Sequence, residues 1–298
     1  MSACRNCGQA RAERLPFHYR WHGRRFDGVR CRACDLVRLD PMPAAAELEE
    51  LYGQDYFDTA LHGLDQAGMD YEALHDAQRV GTAAFVAQDL LPRAPGAASF
   101  FEVGAAMGHL LSCARDLGLR VGGVEISAAA CAAARRKFGL ELHRGDVTAL
   151  DLTDEAGRWD VVYAGDVLEH MTEPAAALAA MHALLAPGGT LILRVPATLN
   201  LLSTRVALTA YRLLGRSVRL PDGPYHVHEF TPRTLARTVG RRFTDVRVEQ
   251  DIVPLRDLNL KGGSAAYRAK WLLHAVNVPL TRLTGRLGDR LLLTARKG

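Results

Sequence analysis

Strand patterns and helix patterns alternate along the middle of this 298-residue chain. Apolar, strand-like runs occur at 99–103, 120–126, 140–143, 159–164 and 190–195. Because parallel strands need crossover helices between them, the alternation predicts a doubly wound α/β fold. Two later strand patterns, at 245–253 and 289–296, predict a closing pair and a seven-stranded sheet. Ligands of such sheets bind beyond the carboxyl ends of the strands.

The loop after the first of these strands restricts the ligand. It reads Phe101-Glu102-Val103-Gly104-Ala105-Ala106-Met107-Gly108. A dinucleotide-binding loop has a third glycine, which lets the backbone amides approach a pyrophosphate, and this loop has only Gly104 and Gly108 in that register. The carboxylate of Glu102 would repel a pyrophosphate and attract an ammonium group. The loop therefore favours S-adenosylmethionine, which carries an ammonium group and no phosphate.

Acidic residues also end the second and third strand patterns. Glu125 ends the second, where a carboxylate can accept hydrogen bonds from both ribose hydroxyls. Asp146 follows the third, where it can accept a hydrogen bond from the adenine amino group. Ile126 and Val147 are expected to flank the adenine ring.

At these residues, and over about 96–298, the sequence resembles the class I S-adenosylmethionine-dependent methyltransferases. The motifs that carry the resemblance are Glu102-x-Gly104-x-x-x-Gly108, 123–127, Gly145-Asp146, 159–171, Leu185-x-Pro187-Gly188-Gly189 and 194–196. The resemblance implies a Rossmann-like methyltransferase sheet and adds Ala164 to the cofactor-binding residues. The chain departs from the family pattern at Ala106, where the family has a glycine and where a methyl group narrows the space for the methionine moiety.

Two C-x-x-C pairs, Cys4/Cys7 and Cys31/Cys34, lie near the N-terminus. Paired thiolates with this spacing predict a tetrahedral, structural zinc site, with a redox pair or a metal-free segment as alternatives. Alternating aromatic residues before Gly23 predict a hairpin between the pairs. Together with the residues that follow, the segment resembles the zinc-bearing front end of bacterial methyltransferases of glycan, deoxysugar and natural-product pathways.

We therefore expect three regions. Residues 1–40 form a small zinc-ribbon-like domain, 41–95 a helical linker or lid, and 96–298 the methyltransferase domain. A helix is predicted over 70–91, and Tyr52 and Tyr56 are candidates either for the core or for the substrate site. Within the last region, residues 199–230 interrupt the alternation and predict a substrate-covering insertion.

Three histidines are candidates for the substrate side of the site. His226 and His228 lie in the segment expected to cover the ligand edge, and His170 directly follows a strand. A hydroxyl acceptor needs a base with a pKa near 7, which histidine supplies, so His226 is the predicted general base. A packing role is the alternative for each histidine.

Charge is unevenly distributed along the chain. The net charge is +4, but residues 1–40 carry +5, residues 41–198 carry −12 and residues 199–298 carry +11. The acidic centre argues against a continuous nucleic-acid-binding face, whereas the basic last third could attract an anionic small molecule. A solvated, Arg-rich surface is the alternative reading.

The function predicted from these observations is methyl transfer, most simply O-methylation, to a small molecule in natural-product or glycan biosynthesis. The alternatives are an RNA methyltransferase that docks RNA on its zinc ribbon and a non-catalytic cofactor-binding scaffold. Without a segment typical of a membrane span or a secretory signal, the sequence predicts a cytoplasmic protein with no membrane partner. The oligomeric state stays open.

Overall fold

The computed structural model describes residues 2–51, 75–220, 223–224, 226–255 and 265–298. Tyr52, Tyr56 and the first part of the helix predicted over 70–91 lie outside the described residues. The strands are β1 (Ala12–Trp21), β2 (Arg24–Cys31), β3 (Val37–Asp40), β4 (Ser99–Val103), β5 (Arg120–Glu125), β6 (His143–Arg144), β7 (Trp159–Gly165), β8 (Leu185–Pro196), β9 (Val218–Arg219), β10 (His228–Glu229), β11 (Thr244–Asp251) and β12 (Arg290–Arg296). The helices are α1 (Ala45–Leu51), α2 (Arg79–Phe85), α3 (His109–Asp116), α4 (Ala128–Phe138), α5 (Pro174–Leu184), α6 (Leu202–Leu213), α7 (Pro232–Val239) and α8 (Ala265–Thr284).

The larger sheet has seven strands in the order β11-β12-β8-β7-β4-β5-β6. β12 is antiparallel to both of its neighbours, and the pairs from β8 to β6 are parallel. The predicted Rossmann-like, seven-stranded sheet with its closing pair is therefore confirmed. The strand order changes direction between β4 and β7, so the carboxyl ends of these strands form the crevice where a ligand binds.

The central strands are apolar on both sides because helices cover both faces of the sheet. All five residues of β4 are buried, and they include Glu102 in an otherwise apolar environment. The motif Pro187-Gly188-Gly189 forms a bulge within β8, since Trp159 pairs with Leu185 but Val161 pairs with Thr190. Ser127 caps α4, with its side chain accepting a hydrogen bond from the amide of Ala130.

A second, five-stranded sheet has the order β10-β3-β2-β1-β9. β1 and β2 form the predicted hairpin, and its turn residues His22 and Gly23 have φ of 46° and 74°. Positive φ at both central residues is typical of the tight turns that match strand twist. The outer strands come from far along the chain: β9 pairs with β1, and β10 pairs with β3. The segment 199–230 thus completes the sheet that residues 12–40 begin.

Candidate cofactor and substrate site

The loop between β4 and α3 has two positions that require glycine. Gly104 and Gly108 have φ of 75° and 76°. A Cβ on Gly104 would lie 2.4 Å from Val167 Cγ2, and one on Gly108 would lie 2.9 Å from Leu140 Cδ1. Between them, Ala106 also has a positive φ, of 46°. An L-residue in this region is strained by about 1–2 kcal/mol, so the rest of the fold must offset this conformational cost at Ala106.

Glu125 ends β5 and supports this loop. Its Oε2 accepts a hydrogen bond from the Ala106 amide and its Oε1 accepts one from the Ser127 amide, both at 2.8 Å. Each carboxylate oxygen has further lone pairs, so these bonds leave acceptor capacity for two ribose hydroxyls. Burial raises the pKa of Glu125, and the two amide bonds oppose that rise.

Glu102 is a buried carboxyl group that lacks a complete set of partners. Its side chain is 6% exposed, and Oε2 makes no hydrogen bond with the described residues. Burial, and secondarily the charge of Glu125, raise the pKa of Glu102 to about 8. Since buried polar groups are normally paired, an orphaned carboxyl oxygen beside the loop fits the ammonium group of a ligand. The residues present therefore fit the methionine end of S-adenosylmethionine.

The residues predicted to hold adenine lie beside the carboxyl end of β5 and after β6. Asp146 Oδ1 accepts hydrogen bonds from the Thr148 amide and hydroxyl at 2.7 and 2.8 Å, which fixes the carboxylate in the turn. Val147 is buried, whereas the side chain of Ile126 is 57% exposed and presents an apolar surface that a purine ring could cover. Ala164 is buried in β7 and pairs with Val103 of β4.

Two of the three predicted histidines meet. The rings of His170 and His226 have centroids 4.9 Å apart. His170 Nε2 lies 3.6 Å from Glu169 Oε1, and His226 Nδ1 lies 3.9 Å from Glu229 Oε1. Glu169 is fully buried and its pKa is raised well above the usual value, chiefly by burial. Ligand atoms of Glu169, His170 and His226 all lie within 4.8 Å of one another, close enough to share a cation.

His228 has a different environment. It is 1% exposed in β10, where it pairs with Arg38 of β3, and its amide donates a hydrogen bond to the carbonyl of Glu169. Burial lowers the pKa of His228 to about 4, so its ring is neutral at pH 7. Its placement supports the loop that carries His170.

A cavity of about 260 Å³ opens beside His226. Its lining residues are Pro196, Thr198, Leu201, His226, Lys270, His274, Asp289 and Arg290. Pro196 ends β8, and Arg290 begins β12 and donates a 3.1 Å hydrogen bond to Asp166 beyond β7. Because β12 runs opposite to β8, its first residues lie at the edge where β8 ends. Asp289 and Arg290 were not among the predicted site residues, although the reversed direction of a closing strand was the signal that could have found them.

The four N-terminal cysteines converge. Cys4 and Cys34 have Sγ atoms 3.7 Å apart, and Cys7 and Cys31 have Sγ atoms 3.5 Å apart. All four Sγ atoms lie within 4.8 Å of one another. With zinc–sulfur bonds of about 2.3 Å, a tetrahedral site needs sulfur–sulfur distances of about 3.8 Å, which these match. The hydrogen bond between the two thiols lowers the pKa of Cys4 to about 4 and raises the pKa of Cys34, which favours one thiolate in this pair.

The strand order and the acid-bearing loop define an α/β domain of the nucleotide-binding type. A family model described as "Methyltransferase domain" matches residues 74–242, and the chain belongs to this family, the class I S-adenosylmethionine-dependent methyltransferases. The predicted family and the predicted enzymatic nature are confirmed.

Among curated relatives, two are named ubiquinone biosynthesis O-methyltransferase. The protein from Xanthomonas axonopodis pv. citri (strain 306) is 30% identical over 160 residues, which is 51% of this chain and 66% of that protein. The protein from Pseudomonas paraeruginosa (strain DSM 24068 / PA7) is 28% identical over 159 residues, which is 52% of this chain and 66% of that protein. The chain thus spans slightly less than two thirds of the length of these relatives.

Solved structures share the fold at low sequence identity. The magnesium protoporphyrin IX methyltransferase from Synechocystis PCC 6803, solved with bound S-adenosylhomocysteine, has a TM-score of 0.53 at 16% identity and covers 86% of this chain and 100% of its own. A possible histamine N-methyltransferase from Thermotoga maritima has a TM-score of 0.51 at 15% identity, and the match covers 84% of this chain and 99% of that protein's chain. Among the described residues, no helix is both long and apolar enough to cross a membrane.

Proposed function

We propose that the protein transfers the methyl group of S-adenosylmethionine to a hydroxyl oxygen of an anionic small molecule held in the cavity beside His226. The observation that carries this proposal is the contact of the His170 ring with the ring of His226, which lines the cavity beside the ligand edge of the sheet. The O-methyltransferase names of the two curated relatives support the choice of oxygen.

The chain has a carboxyl group placed to bind each of three parts of the cofactor. Glu102 would bind the ammonium group, Glu125 the ribose hydroxyls and Asp146 the adenine amino group. When bound, S-adenosylmethionine supplies an electrophilic methyl group on its sulfonium. The protein then contributes mainly by holding the acceptor oxygen in line with that methyl group.

His226 is proposed to take the proton of the acceptor hydroxyl. The carboxyl group of Glu229 faces His226 Nδ1 and is itself held by a 3.0 Å hydrogen bond from Thr198 Oγ1. Burial raises the pKa of Glu229 to about 7. A carboxylate at this place orients the imidazole and stabilises its protonated form. His170 and Glu169 complete the polar cluster, and His228 positions the loop from behind.

The cavity wall favours a negatively charged acceptor. The wall contains two basic side chains, Lys270 and Arg290, and two histidines, His226 and His274. Asp289 is its acidic residue. The Asp289 side chain accepts a hydrogen bond from the Val253 amide, and burial raises its pKa. Hydroxylated acids from natural-product or glycan pathways are the acceptor class that this wall suits.

We also propose that Cys4, Cys7, Cys31 and Cys34 bind one structural zinc ion. Four thiolates close the coordination sphere, so the metal would hold the two cysteine turns together without contacting the acceptor. Asn6, between the first two ligands, donates a 3.1 Å hydrogen bond to Thr238 of α7. The zinc segment is thereby attached to the methyltransferase sheet.

The proposed function is tested by product analysis. The protein is incubated with isotopically methyl-labelled S-adenosylmethionine and a panel of phenolic acids, sugar acids and matched amines, and the labelled atom is located by mass spectrometry and NMR. Methylation of a hydroxyl oxygen is expected. Methylation of only the amines would contradict the proposal, and calorimetry with S-adenosylmethionine alone separates an inactive binding protein from an enzyme that lacks its acceptor.

A further inference from the structure

Helix α8 is amphipathic in the reverse of the usual sense. The side chains that face the protein are mainly polar: His274, Asn277 and Thr281 are each 3% exposed or less. The exposed side chains include large apolar ones, with Leu272 at 60%, Val276 at 57% and Leu283 at 85%. A surface helix of a globular protein ordinarily buries its apolar stripe, so this arrangement calls for something that covers the outer face.

Hydrogen bonds fix this orientation. His274 Nε2 lies 2.9 Å from the carbonyl oxygen of Val253. Asn277 donates to the carbonyl of Leu287 at 2.7 Å and accepts from the amide of Leu202 at 2.9 Å. Turning the leucines inward would leave these buried polar groups without partners, which is costly. The apolar side of α8 therefore stays outside.

The outward apolar residues form one stripe. Leu272, Val276 and Leu283 are separated by four and seven positions, so they share one side of the helix. Trp271 lies at its flank and is 46% exposed. We call Trp271, Leu272, Val276 and Leu283 the α8 face.

The two stretches of chain that carry the α8 face and the helix packed against it, α6, are cationic. Over the described residues 197–220 and 265–288 the chain contains no Asp or Glu. The same two stretches carry exposed basic residues at Arg205, Arg212, Arg216, Arg219, Arg268, Lys270, Arg282 and Arg286. Arg212 forms an ion pair with Glu13 of β1 at 3.0 Å, and the surface as a whole combines leucines and a tryptophan with an excess of basic side chains.

Charge decides between the possible occupants. A second copy of the chain would bring like charges together, which repels. Nucleic acid would satisfy the arginines but would leave the leucines in water. An anionic lipid surface satisfies both, because acyl chains take up the apolar side chains and the headgroups attract the basic ones.

We propose that α8 is an interfacial helix that docks the enzyme on anionic membrane surfaces. The sequence led us to expect no membrane partner because no segment is long and apolar enough to span a bilayer, and an interfacial helix needs no such segment. Docking also has a consequence for the site. Lys270 and His274 of α8 line the cavity beside His226, so the membrane would lie next to the cavity wall and could deliver a lipid-soluble acceptor.

The test is flotation of the full chain with vesicles made of equal parts phosphatidylcholine and phosphatidylglycerol, beside vesicles of phosphatidylcholine alone. Binding to the anionic vesicles that weakens with added salt is expected. Leu272→Glu/Leu283→Glu should weaken binding by about tenfold or more, since the leucines can no longer enter the lipid. A matched control, Val80→Glu/Leu117→Glu, adds the same charge at exposed apolar positions elsewhere and should weaken it much less.

The basic residues are tested in the same way. Arg268→Glu/Arg282→Glu should weaken binding to the anionic vesicles about twentyfold or more. The control, Arg233→Glu/Arg237→Glu on α7, changes the net charge equally but lies away from the α8 face, so it should weaken binding less. The tryptophan emission should shift to the blue with anionic vesicles, and Trp271→Phe should remove that shift. Cofactor affinity, measured by calorimetry, should be unchanged in all of these variants, which shows that they fold.

Three results would overturn the proposal. One is a wild-type chain that does not float with anionic vesicles. Another is an equal loss of binding in the α8 variants and their controls. The third is a chain that does not bind vesicles but forms a dimer without lipid, as measured by light scattering. If Leu272→Glu/Leu283→Glu abolishes that dimer, the α8 face binds a second copy of the chain.

Discussion

The carboxylate of Glu125 holds the backbone of Ala106 in a left-handed conformation. The Ala106 amide donates a 2.8 Å hydrogen bond to Glu125 Oε2, and the φ of Ala106 is 46°. The residue that is expected to bind ribose thus also shapes the loop that is expected to bind methionine. Where the family pattern has a glycine, this chain has a methyl group and a strained backbone.

Ala106→Gly should therefore stabilise the protein. Glycine removes about 1–2 kcal/mol of left-handed strain and adds about 0.4–1 kcal/mol of unfolded-state entropy, so the net gain is about 0.5–1 kcal/mol. Urea unfolding measures it. The neighbouring Ala105→Gly is the matched control, because Ala105 is buried without a positive φ and its loss should destabilise. Equal destabilisation by both substitutions would show that the loop is not strained at Ala106.

Cofactor binding should depend on pH through Glu102. Its pKa is raised from 4.5 to about 8, so the ligand-free protein keeps this proton at pH 7 and the group's contribution to stability falls as pH rises from about 4.5 to about 8. An ammonium group that pairs with Glu102 favours the charged carboxylate and expels the proton. Affinity for S-adenosylmethionine should rise with pH between about pH 6 and pH 7.5.

Calorimetry in buffers of different ionisation enthalpy counts the released proton directly. Glu102→Gln should bind more weakly and lose both the proton release and the pH dependence. The exposed Glu141→Gln serves as the control. Unaltered proton release in Glu102→Gln would assign the titrating group to another residue.

The purified protein should contain one zinc ion per chain. Removing the zinc with a chelator should lower the melting temperature, because the small hairpin depends on the metal for its stability. Cys4→Ser should abolish zinc binding, whereas Cys131→Ser, which changes a cysteine outside the cluster, should keep it. Elemental analysis gives the metal content. A protein that is free of metal yet equally stable would contradict the zinc assignment.

His226→Ala should reduce the methyl-transfer rate by about two to four orders of magnitude if His226 is the base. Affinity for S-adenosylmethionine should stay near that of the wild type, since the proposed cofactor contacts do not include this residue. The residual rate should increase as pH approaches the pKa of the acceptor hydroxyl. His143→Ala is the control, because His143 is a half-exposed histidine paired with Glu155 at the far edge of the sheet. A variant within a few-fold of the wild type would make His226 a packing residue.

The sequence predicted best what local patterns determine. The alternation of strands and helices, the closing strand pair and the hairpin between the cysteine pairs are all present. β9 and β10 were missed because each is only two residues long and exists through pairing with strands some 200 positions earlier. No helical prediction covered α8, whose apolar stripe faces outward and whose buried positions carry histidine, asparagine and threonine. Lys270 and His274 were missed with it.

The cofactor side was easier to predict than the acceptor side for the same reason. Glu102, Glu125 and Asp146 each lie at the end of a strand, so their place follows from the fold. The meeting of His170 with His226 joins two segments that are 56 positions apart, and no local signal encodes it. The pairing of His228 with Arg38, likewise, could not be read from the residues around either one.

The five-stranded sheet, which residues 12–40 form together with β9 and β10, has a consequence for protein engineering. His226 lies two residues before β10, and β10 is seated on β3, so the front end of the chain helps to set the geometry around the acceptor. A chimera that exchanges residues 1–40 alone would present foreign edges to β9 and β10. Transplanting acceptor preference from one enzyme of this kind to another should therefore require moving the cysteine-bearing hairpin and the 199–230 segment as one cassette.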